Sequence, residues 1–380
     1  MKLLKYPGGK ESELTVIKEY MPKNIVTYYE PFVGGGSVYF ASNAKNYSIN
    51  DKSEELILLY KTVQQQDENF FKLVESIEDF WNYISVFVKD NFDYILSVYL
   101  RTRDNIISEK DMKNMITGMV YLNKNDLIAH TTGIVSSNFD KFLSYGMQQC
   151  TNKLKRIKKQ ELTKEYLSEK DRFANIEGAF KTAIYMYIRM LYNEYLTHKK
   201  EFNDYEIAAL YLFIREMTYS AMFRFNKNGE FNVPYGGISY NNKSLKNRIR
   251  DYKNKEIVEK LQATEICCED FQDYINHEEV KPDDFLFIDP PYDTEFSEYN
   301  RLRFDNSDQK RLANYLIKEC EGKFMIVIKK TDYIMSLYKA NTLCKNGHTL
   351  EVYAFDKKYM VSFKNRNDKE TEHLIIRNYE

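Results

Sequence analysis

The 380-residue chain is poor in the residues that cross-linked, fibrous or membrane-spanning proteins rely on. Its five cysteines contain no C-x-x-C pair, which argues against a disulfide scaffold or a cysteine-held zinc. The pattern reads as reduced thiols in a cytoplasmic protein, with the adjacent Cys267 and Cys268 at a strand end. Five scattered histidines offer no metal-ligand spacing, so no metal is expected. Fourteen glycines and seven prolines are too few for a low-complexity or collagen-like chain. No apolar run approaches the roughly 20 residues of a membrane span. The amino terminus runs straight into a motif at Lys5 to Lys10, leaving no room for a signal peptide. The net charge is only -1, so the chain as a whole is not built to coat a polyanion. Nucleic-acid binding would need local basic clusters.

Such clusters are present. Lys153, Lys155, Arg156, Lys158 and Lys159 form one run. Lys243, Lys246, Arg248, Arg250, Lys253 and Lys255 form another. Runs of this kind are usually solvated helix faces; phosphate contacts are the sharper expectation. Hydrophobic content of 43% and charged content of 29% describe a well-cored globular protein. The length suits two domains rather than one.

The densest chemical signal is Asp289-Pro290-Pro291-Tyr292. It follows Phe285-Leu286-Phe287-Ile288, a short apolar run that predicts a buried parallel strand. A carboxylate just past the carboxyl end of such a strand lies where open α/β sheets do their chemistry. The two prolines fix φ and stiffen the backbone around it, and Tyr292 adds an aromatic face. The set suits gripping a flat, amino-bearing ring.

A second signal lies near the amino terminus. Asn24 to Tyr29 is β-branched and aromatic and predicts a strand. Glu30-Pro31-Phe32-Val33-Gly34-Gly35-Gly36-Ser37 follows and opens a helix. Glycines at such a turn let backbone approach a ligand closely. The G-x-G-x-x-G fingerprint is not matched, and no Gly-Lys-Ser/Thr phosphate loop is present. Tyr47 to Asp51 predicts a second strand ending in an acid, placed to bind ribose hydroxyls. A glycine turn with a ribose acid but no phosphate grip points to a nucleoside cofactor without pyrophosphate, such as S-adenosylmethionine.

Alternating strands and helices in residues 1–60 and 255–380 predict one discontinuous α/β domain with helices on both faces of a parallel-rich sheet. The expected elements are a helix from Glu54 to Val63, strands at Thr264 to Cys268 and Phe324 to Ile328, and a helix from Asp308 to Glu321. Glu351 to Phe355 and Leu374 to Ile376 read as terminal, antiparallel strands. Residues 61–254 read as mostly helical, with helical spacing in Phe70 to Phe80, Tyr94 to Tyr99, Ala174 to Leu196 and Glu206 to Phe223. Tyr185, Tyr187, Tyr192 and Tyr195 are expected in the core.

With these motifs in hand, the chain resembles the Dam-like DNA adenine methyltransferases of the alpha class. Four blocks carry the resemblance, in the family's order and across most of the chain: Leu4 to Lys10, Glu30 to Val38, Arg224 to Gly236 and Asp289 to Tyr292. The resemblance implies a Rossmann-like, S-adenosylmethionine-dependent sheet with a large helical insertion that recognises double-stranded DNA. It implies catalytic roles for Asp289, Pro290 and Tyr292. Cofactor contacts are implied for Tyr6, Lys10, Glu30, Phe32, Gly34, Gly36, Asp51, Asp270 and Asp289; the family often has Trp where this chain has Tyr6. DNA contacts are implied for Lys5, Tyr219, Arg224, Asn232 and Pro234. A cytoplasmic, bacterial or phage-type enzyme follows, associated with the nucleoid through DNA, with a restriction endonuclease as a candidate partner. The insertion at about residues 85–200 exceeds what a compact member needs, so its role stays open. The competing readings are methylation of cytosine, of RNA or of protein, and an inactive DNA-binding module. Asp289 rather than Ser or Asn, and the Arg224 to Gly236 block, weigh against them.

Overall fold

The computed structural model describes residues 1–163, 166–291, 304–358 and 370–380. The chain divides into two compact units, Met1–Gln65 with Asn254–Glu380, and Gln66–Lys253.

The first unit is built on a seven-stranded sheet: β1 (Thr27–Glu30), β2 (Asn46–Asn50), β3 (Thr264–Cys267), β4 (Phe285–Ile288), β5 (Lys323–Lys329), β6 (Glu351–Lys358) and β7 (Glu370–Arg377). Their spatial order is β3-β2-β1-β4-β5-β7-β6. The first five pair in parallel, whereas β7 is antiparallel to both β5 and β6. All four residues of β4 are buried, as a strand covered on both faces requires. Its apolar run and its observed bounds coincide. Tyr29, Leu286, Ile288, Leu312, Phe324 and Ile326 belong to one packed core cluster. The helix Asn306–Lys318 in this layer starts from a capping box between Asp305 and Asp308, which satisfies orphan amides at its amino end.

The chain leaves β1 for β2 and β3 on one side, and β4 lies on β1's other side. The order of strands therefore reverses between β1 and β4. In open α/β sheets the connections after two such strands part in opposite directions, and ligands bind in the crevice at the carboxyl ends of the strands. The glycine turn follows β1 and Asp289 follows β4, so both motifs border that crevice.

The second unit is helical. Its long helices are Glu68–Asp90, Phe92–Arg103, Glu109–Leu122, Met147–Thr163, Glu169–Leu196 and Asp204–Met217. Side-chain caps from Asp67 and Ser168 and capping boxes at Ser108 and Asn203 set four of the starts. Tyr185, Tyr187 and Tyr192 are core residues; Tyr195 is only half-buried. Helix was expected through Phe223, but it stops at Met217. Thr218 is extended, Ser220 has φ 51°, and the chain bridges to Tyr235 instead. The amide of Tyr219 donates to Pro234 O at 3.1 Å and that of Gly236 to Met217 O at 3.0 Å. Pairing with a returning strand overrides the helical spacing of the apolar residues. Among the described residues no helix is long and apolar enough to cross a membrane.

Candidate active site

Lys10 and Asp289 lie 279 positions apart in sequence and form an ion pair. The Lys10 side chain is 1% exposed and the Asp289 side chain 19%. Lys10 also donates to Gly8 O at 3.2 Å. A buried ammonium beside a half-buried carboxylate holds the carboxylate at the crevice edge without leaving its charge uncompensated. Pro290 is buried. The carbonyl of Pro291 accepts from Gln309 Nε2 at 3.0 Å. Gln309 is 1% exposed, so this bond anchors the diproline turn to the helix Asn306–Lys318. Tyr292 lies outside the described residues.

The glycine turn is shaped by what touches it. Gly34 and Gly36 have φ of 49° and 71°, where L side chains are strained. A Cβ on Gly34 would meet the Tyr6 ring at 3.1 Å, and one on Gly35 would meet Leu4 O at 2.6 Å. The amino-terminal motif thus lies directly against the turn, with Tyr6 as its aromatic surface. Tyr60 Oη donates to Gly34 O at 3.1 Å, and a Cβ on Gly36 would collide with that same hydroxyl. Phe32 packs on Phe271 and Phe304, with ring centres 5.4 and 5.5 Å away.

Asp51 caps the arrangement from β2. Its two oxygens accept from the amides of Gly34 and Ser53, both at 3.0 Å. Burial pushes its carboxyl up to about 6, against the lowering effect of those amides. A carboxylate has about four acceptor positions, so these two bonds leave room for ligand hydroxyls. Glu30 is 2% exposed and accepts from Tyr28 Oη at 2.6 Å. Burial raises its carboxyl well above the usual range, opposed by the Tyr28 bond. Glu30 is thus a buried acid, with Asp289 and Lys10 close enough for their charges to act on it. Asp270 is the amino-terminal cap of the helix Phe271–His277, accepting from Gln272 N at 3.0 Å. It also pairs with Lys52 and Arg311 at 3.2 and 3.3 Å.

Three contributors escape sequence reading: Gln309, Tyr60 and Asn50. Asn50 ties the loops after β1 and β3 together, donating to Pro31 O and Glu269 O at 3.1 Å each and accepting from Glu269 N at 2.9 Å. Polar residues that serve neighbouring backbone carry no motif. The only available signal was Asn50 standing beside the acid at the end of a strand.

In the helical unit, Arg224 to Tyr235 forms a hairpin. Phe225 bridges to Phe231, and the turn is closed by Asn226, whose Oδ1 accepts from Asn228 N and Glu230 N at 2.9 and 3.0 Å. Arg224 Nε donates to Asn232 Oδ1 at 2.8 Å, and Nη2 to Asn232 O at 3.3 Å. Glu230 engages Asn226 at 2.9 Å and Lys199 at 3.8 Å. Tyr219 is 50% exposed, and Pro234 and Lys5 are also exposed. Much of the second basic run is already neutralised: Lys243 and Arg248 each lie 3.0 Å from Glu216 and Lys253 lies 3.0 Å from Glu75 in this unit, while Lys255 lies 3.6 Å from Glu259 in the α/β unit. In the first run Lys155 pairs with Glu109 at 2.9 Å.

Comparison with known proteins shows the family. The model of the D12 class N6 adenine-specific DNA methyltransferases matches residues 6–172 and 144–352. A type II methyltransferase, M.CviBI, of Paramecium bursaria Chlorella virus NC1A is 33% identical over 180 residues, 46% of this chain and 63% of that protein. The retron Ec67 DNA adenine methylase of Escherichia coli is 32% identical over 43% of this chain, which spans 54% of that methylase. The type II methyltransferase M.MjaIII of Methanocaldococcus jannaschii is 26% identical over 83% of this chain and 78% of its own length. With its strand-order reversal, glycine turn and Asp289 all inside the matched segments, the chain belongs to the D12 class of N6 adenine-specific DNA methyltransferases.

Proposed function

We propose that this protein transfers a methyl group to the exocyclic 6-amino group of adenine in duplex DNA, at a specific short sequence. The single observation that carries the reading is the Lys10–Asp289 pair at the strand-order reversal, beside a glycine turn capped by Asp51. A methyl donor bearing adenosine and a methionyl group fits this donor set. Asp51 suits ribose hydroxyls, the Tyr6 ring and Gly34 offer a close flat surface, and Lys10 suits a carboxylate. S-adenosylmethionine, when bound, supplies an already activated methyl.

The chain's own part is positioning. The adenine amino nitrogen is a weak nucleophile because its lone pair is delocalised into the ring. The Asp289 carboxylate and the Pro290 carbonyl accept its two hydrogens, which localises the lone pair and stabilises the positive charge that develops on nitrogen. Gln309 holds the neighbouring Pro291 carbonyl and so keeps both acceptors in register. The amino group is inaccessible within the stack, so the base is flipped out, and Tyr292 stacks on it. In the helical unit Arg224, oriented by Asn232, reads a guanine edge through its fork of donors. Tyr219 and Pro234 of the same unit contact DNA, and so does Lys5 of the α/β unit. A restriction endonuclease cutting the same sequence is the expected partner, and the cytoplasm the expected location.

Incubation of purified protein with S-adenosylmethionine and duplex DNA, followed by nucleoside mass spectrometry, tests the reaction. N6-methyladenine is the expected product. 4-Methylcytosine, or methyl transfer to RNA alone, would refute it.

A further inference from the structure

The helix Glu169–Leu196 presents Tyr185, Arg189 and Asn193 at four-residue intervals, hence on one face. All three bind the returning strand of the Arg224 hairpin through its backbone. Asn193 Nδ2 donates to Phe231 O at 3.1 Å, and Phe231 N donates back to Asn193 Oδ1 at 2.9 Å. Tyr185 Oη and Arg189 Nη1 both donate to Val233 O, at 2.8 and 3.0 Å.

The backbone groups alternate as a strand's must. Residues 231 and 233 turn to the helix, whereas residues 230 and 232 turn to the partner strand. Asn226 N donates to Glu230 O at 2.9 Å and Asn232 N to Arg224 O at 3.0 Å. The helix side chains thus complete an edge that would otherwise lack a partner. The Asn193 amide reproduces the paired donor and acceptor of a neighbouring strand. A slip of one residue would break every one of these bonds and move Asn232 away from the Arg224 guanidinium. Packing favours the same register, since Phe231 and Val233 are buried, and a cleft of about 270 Å³, lined in part by Arg189, Asn193, Asn226, Glu230 and Asn232, lies beside the contact.

We infer that Asn193, backed by Tyr185 and Arg189, is a specificity-positioning residue: it locks the register of the recognition hairpin so that Asn232 aims Arg224 at its base. This rests on the base-reading role given to Arg224 above. It also gives the long helix Glu169–Leu196 a function in recognition beyond filling a core.

The test is a set of initial methylation rates on duplexes carrying the recognised sequence and every single base-pair change to it. The proteins compared are wild type, Asn193→Leu, Arg224→Ala and the double variant. Asn193→Leu loses about tenfold discrimination, the scale of one or two lost hydrogen bonds, at the same base pair as Arg224→Ala. In the double variant it adds nothing further, because both act on one contact. Asn193→Asp, which keeps the acceptor but sets a carboxylate oxygen against Phe231 O, is the milder variant should Asn193→Leu not fold, and gives the same position-specific loss. A uniform loss at every base pair, unchanged discrimination, or additive losses in the double variant would overturn the inference. Unchanged discrimination in Arg224→Ala would instead remove the base-reading role itself.

Discussion

Asp51 makes cofactor binding pH-dependent with a sign and size that follow from its surroundings. Its carboxyl is pushed up to about 6 by burial. Only the carboxylate accepts from two ribose hydroxyls while also holding the amides of Gly34 and Ser53, each at 3.0 Å; a protonated carboxyl turns one oxygen into a donor. Protonation therefore weakens binding, and weakening grows as pH falls below the free protein's value. At pH 8 essentially all Asp51 is ionised. At pH 5 about one part in ten is, so the apparent dissociation constant for S-adenosylmethionine rises about tenfold, or about 1.4 kcal/mol. Isothermal titration between pH 5 and 8 reads this directly. Asp51→Asn removes the titrating group and also loses one acceptor, so it binds weakly with a profile lacking the wild type's acid-side rise. The ratio of the two constants isolates Asp51 from ionisations of the ligand. A ratio constant across that range would show that Asp51 does not carry the ribose contact.

Two further outcomes test the framework of the site. Gln309→Leu keeps the volume but deletes the donor to Pro291 O, so kcat falls roughly ten- to hundredfold while S-adenosylmethionine affinity holds; single-turnover rates check this, and an unchanged rate would make Gln309 a core residue only. Gly36→Ala forces a side chain into φ 71° and against the Tyr60 hydroxyl, costing about 2 kcal/mol or more. Adding Tyr60→Phe restores part of that loss in thermal unfolding, and no recovery would assign the cost to backbone strain and to the Phe40 ring, 3.1 Å from the new Cβ.

The sheet was largely legible in the sequence because burial on both faces leaves a plain mark. Phe285 to Ile288 is wholly apolar and forms β4 over those same residues. Leu374 to Ile376 likewise lies within an antiparallel strand. The end of the helix Asp204–Met217 was not legible, because apolar residues continue at helical spacing past it and only a distant pairing with Tyr235 stops the helix. Motif residues could be quoted singly, but not their contacts. Lys10 reaches Asp289 only because β4 lies against β1, a fact of topology rather than local pattern. Gln309 and Asn193 left no signal at all: each is one polar residue on an amphipathic helix, where a solvated side chain is the ordinary expectation. Their partners are backbone atoms, which no sequence pattern names.

The most direct measurement is a base-by-base methylation map of genomic DNA from a methylase-free host expressing this chain, beside the same host expressing Asp289→Asn. The proposed reaction leaves one short sequence carrying N6-methyladenine in the first genome and none in the second. Unmarked DNA from a folded wild type that binds S-adenosylmethionine, or equal marking by Asp289→Asn, would contradict it.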